Sequence, residues 1–298
     1  MPTRTIQPLG SNACTASIGR RFVVSGAVAS AAGLAMNPAY ADRSATKPVD
    51  IAVSEGGFRY IADPTSPFSS GVAALPGNAL IRVQLRKPLP LEQGLDLVTQ
   101  YLTGAGRQPA ALAGLELRSP SIMSRAEFNI FNQRYLSAVR SRGFFAGQTV
   151  PIARSNIVPL YDPPGTHIVR AFTYAAPRNA RDAAGDAAFL LSGRPEQAGK
   201  HVMAPGDVSP GGMRQKASFV IDQLRQAVAT LGGSWADLTG MQIYMTQPVS
   251  SIVEVLRDAV LSNLGPQFFV ASPPVIGIDG FRYEFEADMR AIGSERVI

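Results

Sequence analysis

Glu284, Glu286 and Asp288 occupy alternate positions of residues 281–290, FRYEFEADMR. Tyr283, Phe285 and Ala287 stand between them, so the stretch predicts a strand with one apolar and one acidic face. Three carboxylates in a row on one strand face repel one another unless water or cations offset the charge. The acids therefore either form a solvated edge or line a site. In a shielded site, burial and like-charged neighbours raise a carboxyl's pKa, and such a group can both take and return a proton. Arg118 ends the strand expected at LAGLEL, residues 112–117. It either binds an anion in a cleft or makes a surface ion pair, and both readings stay open.

Other chemistries are excluded by what the chain lacks. Cys14 is its one cysteine, so past the N-terminal segment there is no disulfide, zinc–thiolate site or thiol nucleophile. The two histidines, His167 and His201, are too few for a histidine-rich metal site. The formal charge is +6, but Arg4, Arg20 and Arg21 lie in an acid-free leader. Behind that leader, 25 basic residues face 22 acidic ones. A balance so near neutral predicts no nucleic-acid partner, and local basic clusters remain free to bind small anions.

The leader reads as an export signal. Arg20-Arg21 precedes an uncharged Val/Ala/Gly-rich run to Met36, and Ala39-Tyr40-Ala41 fits a small-x-small cleavage pattern. The arginine pair resembles a twin-arginine signal, with Phe22 following at once where one intervening residue is usual. The expectation is a periplasmic protein with a mature start near Asp42 and no membrane contact after processing. Residues 42–56 read as a linker. Short strands with a loop at 63–78 follow, the clearest strand being residues 80–85.

Beyond Pro90 the chain repeats itself with an offset of 126 residues. Leu95, Val98, Leu102 and Gly106 fall on Ile221, Leu224, Val228 and Gly232. Leu112-x-Gly114-Leu115-x-Leu117 falls on Leu238-x-Gly240-Met241-x-Ile243. A helix, a glycine stop and a strand thus recur in phase. A second helix follows in each copy, at 124–142 with Ser124 and Glu127 as a capping box, and at 250–263. Strands come next, at 151–159 and 167–174, then at 268–271 and 281–288. The fold class implied is α+β, two tandem domains at 57–177 and 185–298, each a mixed sheet covered on one face by two helices.

Laid out this way, the chain resembles the RidA family of imine and enamine deaminases, also called YjgF or L-PSP. Residues 188–193 (AFLLSG), Pro205-Gly206-Asp207-Val208, the Gly232-Gly233 pair and the closing YEFEA at 283–287 follow that family's order. In the first copy, Phe128-x3-Asn132-x2-Tyr135 and Pro151-Ile-Ala-Arg154-Ser155 fit its second helix and its arginine segment. The resemblance implies that Arg154 holds a substrate carboxylate and that Glu286 positions the attacking water. Their counterparts in the other copy are Phe268 and Phe172, so each copy keeps half of a site.

The same resemblance implies that groups near Ser192-Gly193 hold water or substrate, and Arg194 stands where the family often has Gln. Asn156 shares a strand face with Arg154 and is a further candidate. Glu284 and Asp288 flank Glu286 and would tune it. Phe128, Phe131, Tyr135 and Trp235 read as packing residues. The implied activity is hydrolytic deamination of a small anionic enamine or imine without cofactor or metal, with a 2-aminomuconate-type dicarboxylate as the leading substrate class. The alternatives are a chorismatase-like enzyme and a non-catalytic periplasmic binder of small carboxylates. A homo-oligomer, by family habit a trimer, is expected.

Overall fold

In a computed structural model, the structure describes residues 50–179, 188–258, 271–272 and 282–298. The expected export segment, most of the expected domain boundary, Phe268, Phe281 and the later part of the expected helix at 250–263 lie outside them. The elements run β1 (Asp50–Ser54), β2 (Phe58–Ala62), β3 (Gly71–Ala74), β4 (Asn78–Pro90), α1 (Leu91–Gly104) and β5 (Leu112–Arg118). Then follow α2 (Arg125–Arg140), β6 (Ala153–Pro159), β7 (Ile168–Pro177), β8 (Phe189–Pro195), and the hairpin of β9 (Gln197–Ala198) and β10 (His201–Val202). The chain continues through α3 (Pro210–Thr230), β11 (Gly240–Met245), α4 (Val253–Leu256), β12 (Ala271–Ser272), β13 (Phe285–Ala291) and β14 (Ser294–Val297). The class is α+β, as the patterning implies. None of the described helices is long and apolar enough to cross a membrane.

The helices start and stop where the side chains dictate. The Ser124 hydroxyl accepts from the Glu127 N–H at 3.3 Å while the Glu127 carboxylate accepts from the Ser124 N–H at 2.7 Å, closing the capping box of α2. Such a cap stabilises a helix by about 1 kcal/mol. α3 opens on Ser209, whose hydroxyl accepts from the Gly212 N–H, with Pro210 in the first turn. The α1 stripe of Leu91, Leu95, Val98 and Leu102 is fully buried.

These helices cover two six-stranded sheets. An antiparallel sheet has the order β1-β2-β3-β8-β13-β11, and a mixed sheet has the order β12-β6-β5-β7-β4-β14. α1 and α2 pack on the mixed sheet against Val83, Leu115, Leu117, Val169 and Phe172. α3 packs on the antiparallel sheet against Phe189, Leu191, Phe285, Ala287 and Met289. A third apolar layer, rich in alanine, joins residues of both sheets: Phe58, Val72 and Leu190 from one, Leu80, Ala113, Ala153 and Ala175 from the other. The sheets therefore stack inner face to inner face with helices outside. Small side chains there allow a close approach.

Strands cross between the halves. β1, β2 and β3 come from the N-terminal segment but join β8, whereas β12 and β14 come from the C-terminal half and join the mixed sheet. Neither 57–177 nor 185–298 supplies a whole sheet by itself. The expected linker contains β1, and the loop expected at 63–78 contains β3. Both strands are short and lack strict alternation (β3 is GVAA, buried throughout), so periodicity gives no sign of them.

The strand ladders also revise one correspondence. Arg118 lies opposite Ile168 and Leu115 opposite Phe172, while Tyr244 lies opposite Glu286 and Met241 opposite Met289. With β5 and β11 matched at the 126-residue offset, Glu286 corresponds to Ile168, and Phe172 corresponds to Met289. The expected match of Glu286 with Phe172 is corrected. Counting residues from Arg154 carries the loop before β7 into the comparison, whereas counting along the ladder does not.

Candidate active site

Alternation on β13 sends Phe285, Ala287 and Met289 under α3, so Glu286 and Asp288 must face the second sheet. Both are buried, at 8 % and 2 % exposure, which settles the choice between solvated edge and lined site in favour of burial. Burial pushes the Glu286 carboxyl up to about 8. Glu196 adds to the rise, and Arg154 opposes it. At neutral pH Glu286 is thus mostly protonated.

Arg154 comes from β6, and its guanidinium is boxed by rings. The guanidinium carbon lies 4.6 Å from the ring centres of Phe68 and Tyr135, 5.8 Å from Phe131 and 6.0 Å from Phe128. Cation–π attraction offsets part of its desolvation. Its Nη1 is buried and has no hydrogen-bond partner among the described residues. Burial lowers its pKa, and Tyr135 and Glu286 are the groups whose charge supports it. Arg154 and Glu286, from opposite halves of the sequence, therefore lie in each other's field.

Two tyrosines complete the cluster. Tyr135, on α2, is fully buried with an unpartnered hydroxyl, and burial pushes its pKa up to about 12. Tyr244, directly opposite Glu286 on β11, is also fully buried with an unpartnered hydroxyl, and it packs on Ile157 of β6. Neither hydroxyl was singled out by the sequence. Tyr135 sits in the Phe128-x3-Asn132-x2-Tyr135 pattern, where the helical spacing reads as core. The signal for Tyr244 was its repeat position matching Arg118, a polar place on an otherwise apolar strand.

The remaining candidates fall in different places. The Ser192 hydroxyl accepts from the Arg154 N–H at 3.0 Å and donates to the Ser69 carbonyl at 2.8 Å. Its own N–H donates to Ser70 O. Ser192 therefore clamps β6 against β8 and holds Arg154 by its backbone, with its hydroxyl already engaged. Gly193 lies beside Glu286, and a Cβ there would collide with the Glu286 Oε1. A bulge at this point sets Arg194 opposite Ala287, on the face under α3. Burial alone lowers its pKa. Arg194 is thus turned away from Glu286, because the bulge shifts the alternation by one residue.

Asn156 stays on the Arg154 side. Its Oδ1 accepts from the Ser119 hydroxyl at 2.8 Å, and its buried Nδ2 lacks a partner. Ser119 also meets His167 Nδ1 at 3.1 Å, and the His167 ring stacks on Phe131 at 4.2 Å. Glu284 is half-buried and shifted upward by burial and then by Glu196. It precedes β13, with Glu196, Arg282 and Lys216 as its charged neighbours.

Arg118 joins a separate buried network. Its Nη2 donates to Gln242 Oε1 at 3.0 Å, and Gln242 in turn donates to both oxygens of Asp288 at 3.1–3.2 Å. Glu116 is gripped at both oxygens by Arg82, at 2.5 and 2.9 Å. Asp288 is pushed up to about 7, by burial first and then by Glu116. Of the two readings of Arg118, neither the anion-binding cleft nor the surface pair describes it: it is an interior tie between the sheets.

A buried guanidinium with a free donor and a protonated carboxyl in its field can bind a carboxylate and deliver a proton beside it. Among the described residues no group of three His, Cys, Asp or Glu side chains could hold a metal ion.

Comparison with known proteins identifies the family. The family model described as 2-aminomuconate deaminase CnbZ matches residues 50–296. The chain belongs to that family. It is also 34% identical over 259 residues to the 2-amino-5-chloromuconate deaminase of Comamonas testosteroni, covering 84% of this chain and all of that protein. Solved structures with detectable similarity include a chorismatase, at 13% identity and TM-score 0.45 over 82% of this chain and 80% of that one. A YjgF/YER057c/UK114 family member from Mycobacterium tuberculosis follows, at 16% identity and TM-score 0.26 over 35% and 78%. The family's matched span begins at the first residue of β1 and takes in both sheets, so the exchanged strands lie within it.

Proposed function

We propose that the protein is a muconate-type deaminase that hydrolyses a small anionic enamine without a cofactor. The observation that carries this reading is Arg154: a buried guanidinium with an unpartnered Nη1, in the field of a carboxyl raised to about 8. Family membership and the named activity of the Comamonas relative support it.

In this reading a substrate carboxylate pairs with Arg154, and the enamine carbon is brought beside Glu286. The Glu286 carboxyl protonates that carbon, giving an iminium ion and a carboxylate. Water then adds to the iminium carbon while the carboxylate takes its proton, forming a carbinolamine. Glu286 returns the proton to nitrogen, ammonia leaves, and the remaining hydroxyl loses its proton to give the ketone. The net change consumes one water and releases one ammonia. The Tyr135 and Tyr244 hydroxyls supply donors or acceptors for the bound anion and the attacking water.

The test is ammonia release from 2-aminomuconate by the wild type, Arg154→Ala and Glu286→Gln. Turnover in the wild type that is lost in both variants is expected, and wild-type inactivity sinks the reading. We also propose a homo-oligomer with a trimer favoured, read by light scattering. Export through the twin-arginine-like leader is proposed too, read by cell fractionation with Arg20→Lys/Arg21→Lys.

A further inference from the structure

Glu196 has no assigned role, and it is the most completely engaged carboxylate near the site. It follows β8 and is fully buried. Its Oε1 accepts from the Glu284 N–H at 2.6 Å, and its Oε2 from the Phe285 N–H at 2.8 Å. Its backbone N–H donates to Phe285 O at 3.1 Å. Lys216 of α3, also without exposure, donates to Glu196 Oε1 and to Met203 O, each at 3.2 Å. Two buried charges so completely hydrogen-bonded form a fixed point rather than a flexible surface pair. That point clasps the chain one residue before Glu286, where β13 begins.

We propose that Glu196, held by Lys216, is the positioning residue for Glu286: it fixes the entry to β13 and sets the charge that the Glu286 carboxyl faces. This rests on the reading of Glu286 as the acid–base group. The other ionisable groups around Glu286 are Arg154 from β6 and Tyr283 and Glu284 on its own chain, with Asp288 farther along the same face. Tyr244 faces it from β11. Burial raises the Glu286 carboxyl first, Glu196 is the charged neighbour that adds to the rise, and Arg154 opposes it. Removing the Glu196 charge also leaves Lys216 uncompensated, which acts in the same direction.

The test reads Glu286 directly. The full chain, labelled with 13C at glutamate side-chain carboxyls, is titrated by NMR, with Glu286 identified by its loss in Glu286→Gln. Wild type is compared with Glu196→Gln and with the charge-neutral double variant Glu196→Gln/Lys216→Met, which leaves no buried charge unpaired. The Glu286 midpoint is expected to fall by about one pH unit or more in each folded variant. The falling limb of the pH–rate profile should move down with it. An unmoved midpoint in a folded variant overturns the proposal. So does loss of folding in both variants, which would make Glu196 purely structural. Because the titration needs no substrate, an inactive wild type sinks the deaminase reading alone, while an active wild type with an unmoved midpoint sinks this one alone.

Discussion

Two buried polar clusters lie along the acidic face of β13, and they are finished differently. Around Asp288 the charges are paired more fully: Arg82 forks Glu116, Arg118 reaches Gln242, Gln242 holds Asp288, and Arg290, whose buried Nε makes no hydrogen bond, still pairs with Glu295. Around Glu286, two residues along the same strand, Arg154 Nη1, Tyr135 OH and Tyr244 OH have no partners among the described residues. Leaving a buried donor unpaired costs about 1–3 kcal/mol, and more for a charge. Closure marks the first cluster as a tie between sheets. The open valences mark the second as a place for a ligand.

Breaking each cluster should give opposite results. Glu116→Gln strands Arg82 and should lower stability by about 3–5 kcal/mol in denaturant unfolding, while activity per folded molecule is kept. Arg154→Met should cost about 100-fold or more in kcat/KM, roughly 3 kcal/mol, while stability holds or rises because an unpaired buried charge is gone. If Arg154→Met destabilises as much as Glu116→Gln, the contrast between open and closed clusters fails.

The pH dependence sharpens the same comparison. Glu286 and Asp288 ionise at about 8 and 7 in the fold, against ordinary values of 4.5 and 3.8. The unfolded chain therefore loses these protons first, and the contribution of these two groups to stability declines as pH rises from about 4 to about 8, by on the order of 5–10 kcal/mol together. Glu286→Gln and Asp288→Asn should each flatten part of that slope in urea titrations. Only Glu286→Gln should abolish turnover, and wild-type kcat/KM should fall above about pH 8 as the acid ionises. The smallest effect is expected from Ser192→Ala, which removes the hydrogen bond from Arg154's backbone N–H and the one to the Ser69 carbonyl. About 1–2 kcal/mol of stability should go, with a rise in KM larger than the fall in kcat.

Much of this was legible in the residues. The α1 stripe, the α2 capping box, the repeat linking α1 and β5 to α3 and β11, and the two-faced strand, which begins at Phe285 and so four residues later than its alternation suggests, are local patterns fixed by helical and strand periods. Arg154 and Glu286 stood out because the family motifs survive in one copy each. The exchange of β1–β3, β12 and β14 left no trace, since strand partners are chosen by distant surfaces. Arg118 and Arg194 were misplaced for a related reason. Which way a side chain turns depends on a bulge or a facing sheet that no local pattern records.

By itself, then, the sequence determined the class of the fold, the repeat, and the residue types of the candidate site. Only the tertiary structure decided that the acidic face is buried. It also decided which arginine lies in the field of which acid, that Tyr135 packs on Arg154, and that Tyr244 and Glu196 neighbour Glu286. Periodicity is encoded over a few neighbouring residues, but desolvation and charge pairing arise between β6, β11 and β13, elements brought together only when the two sheets stack.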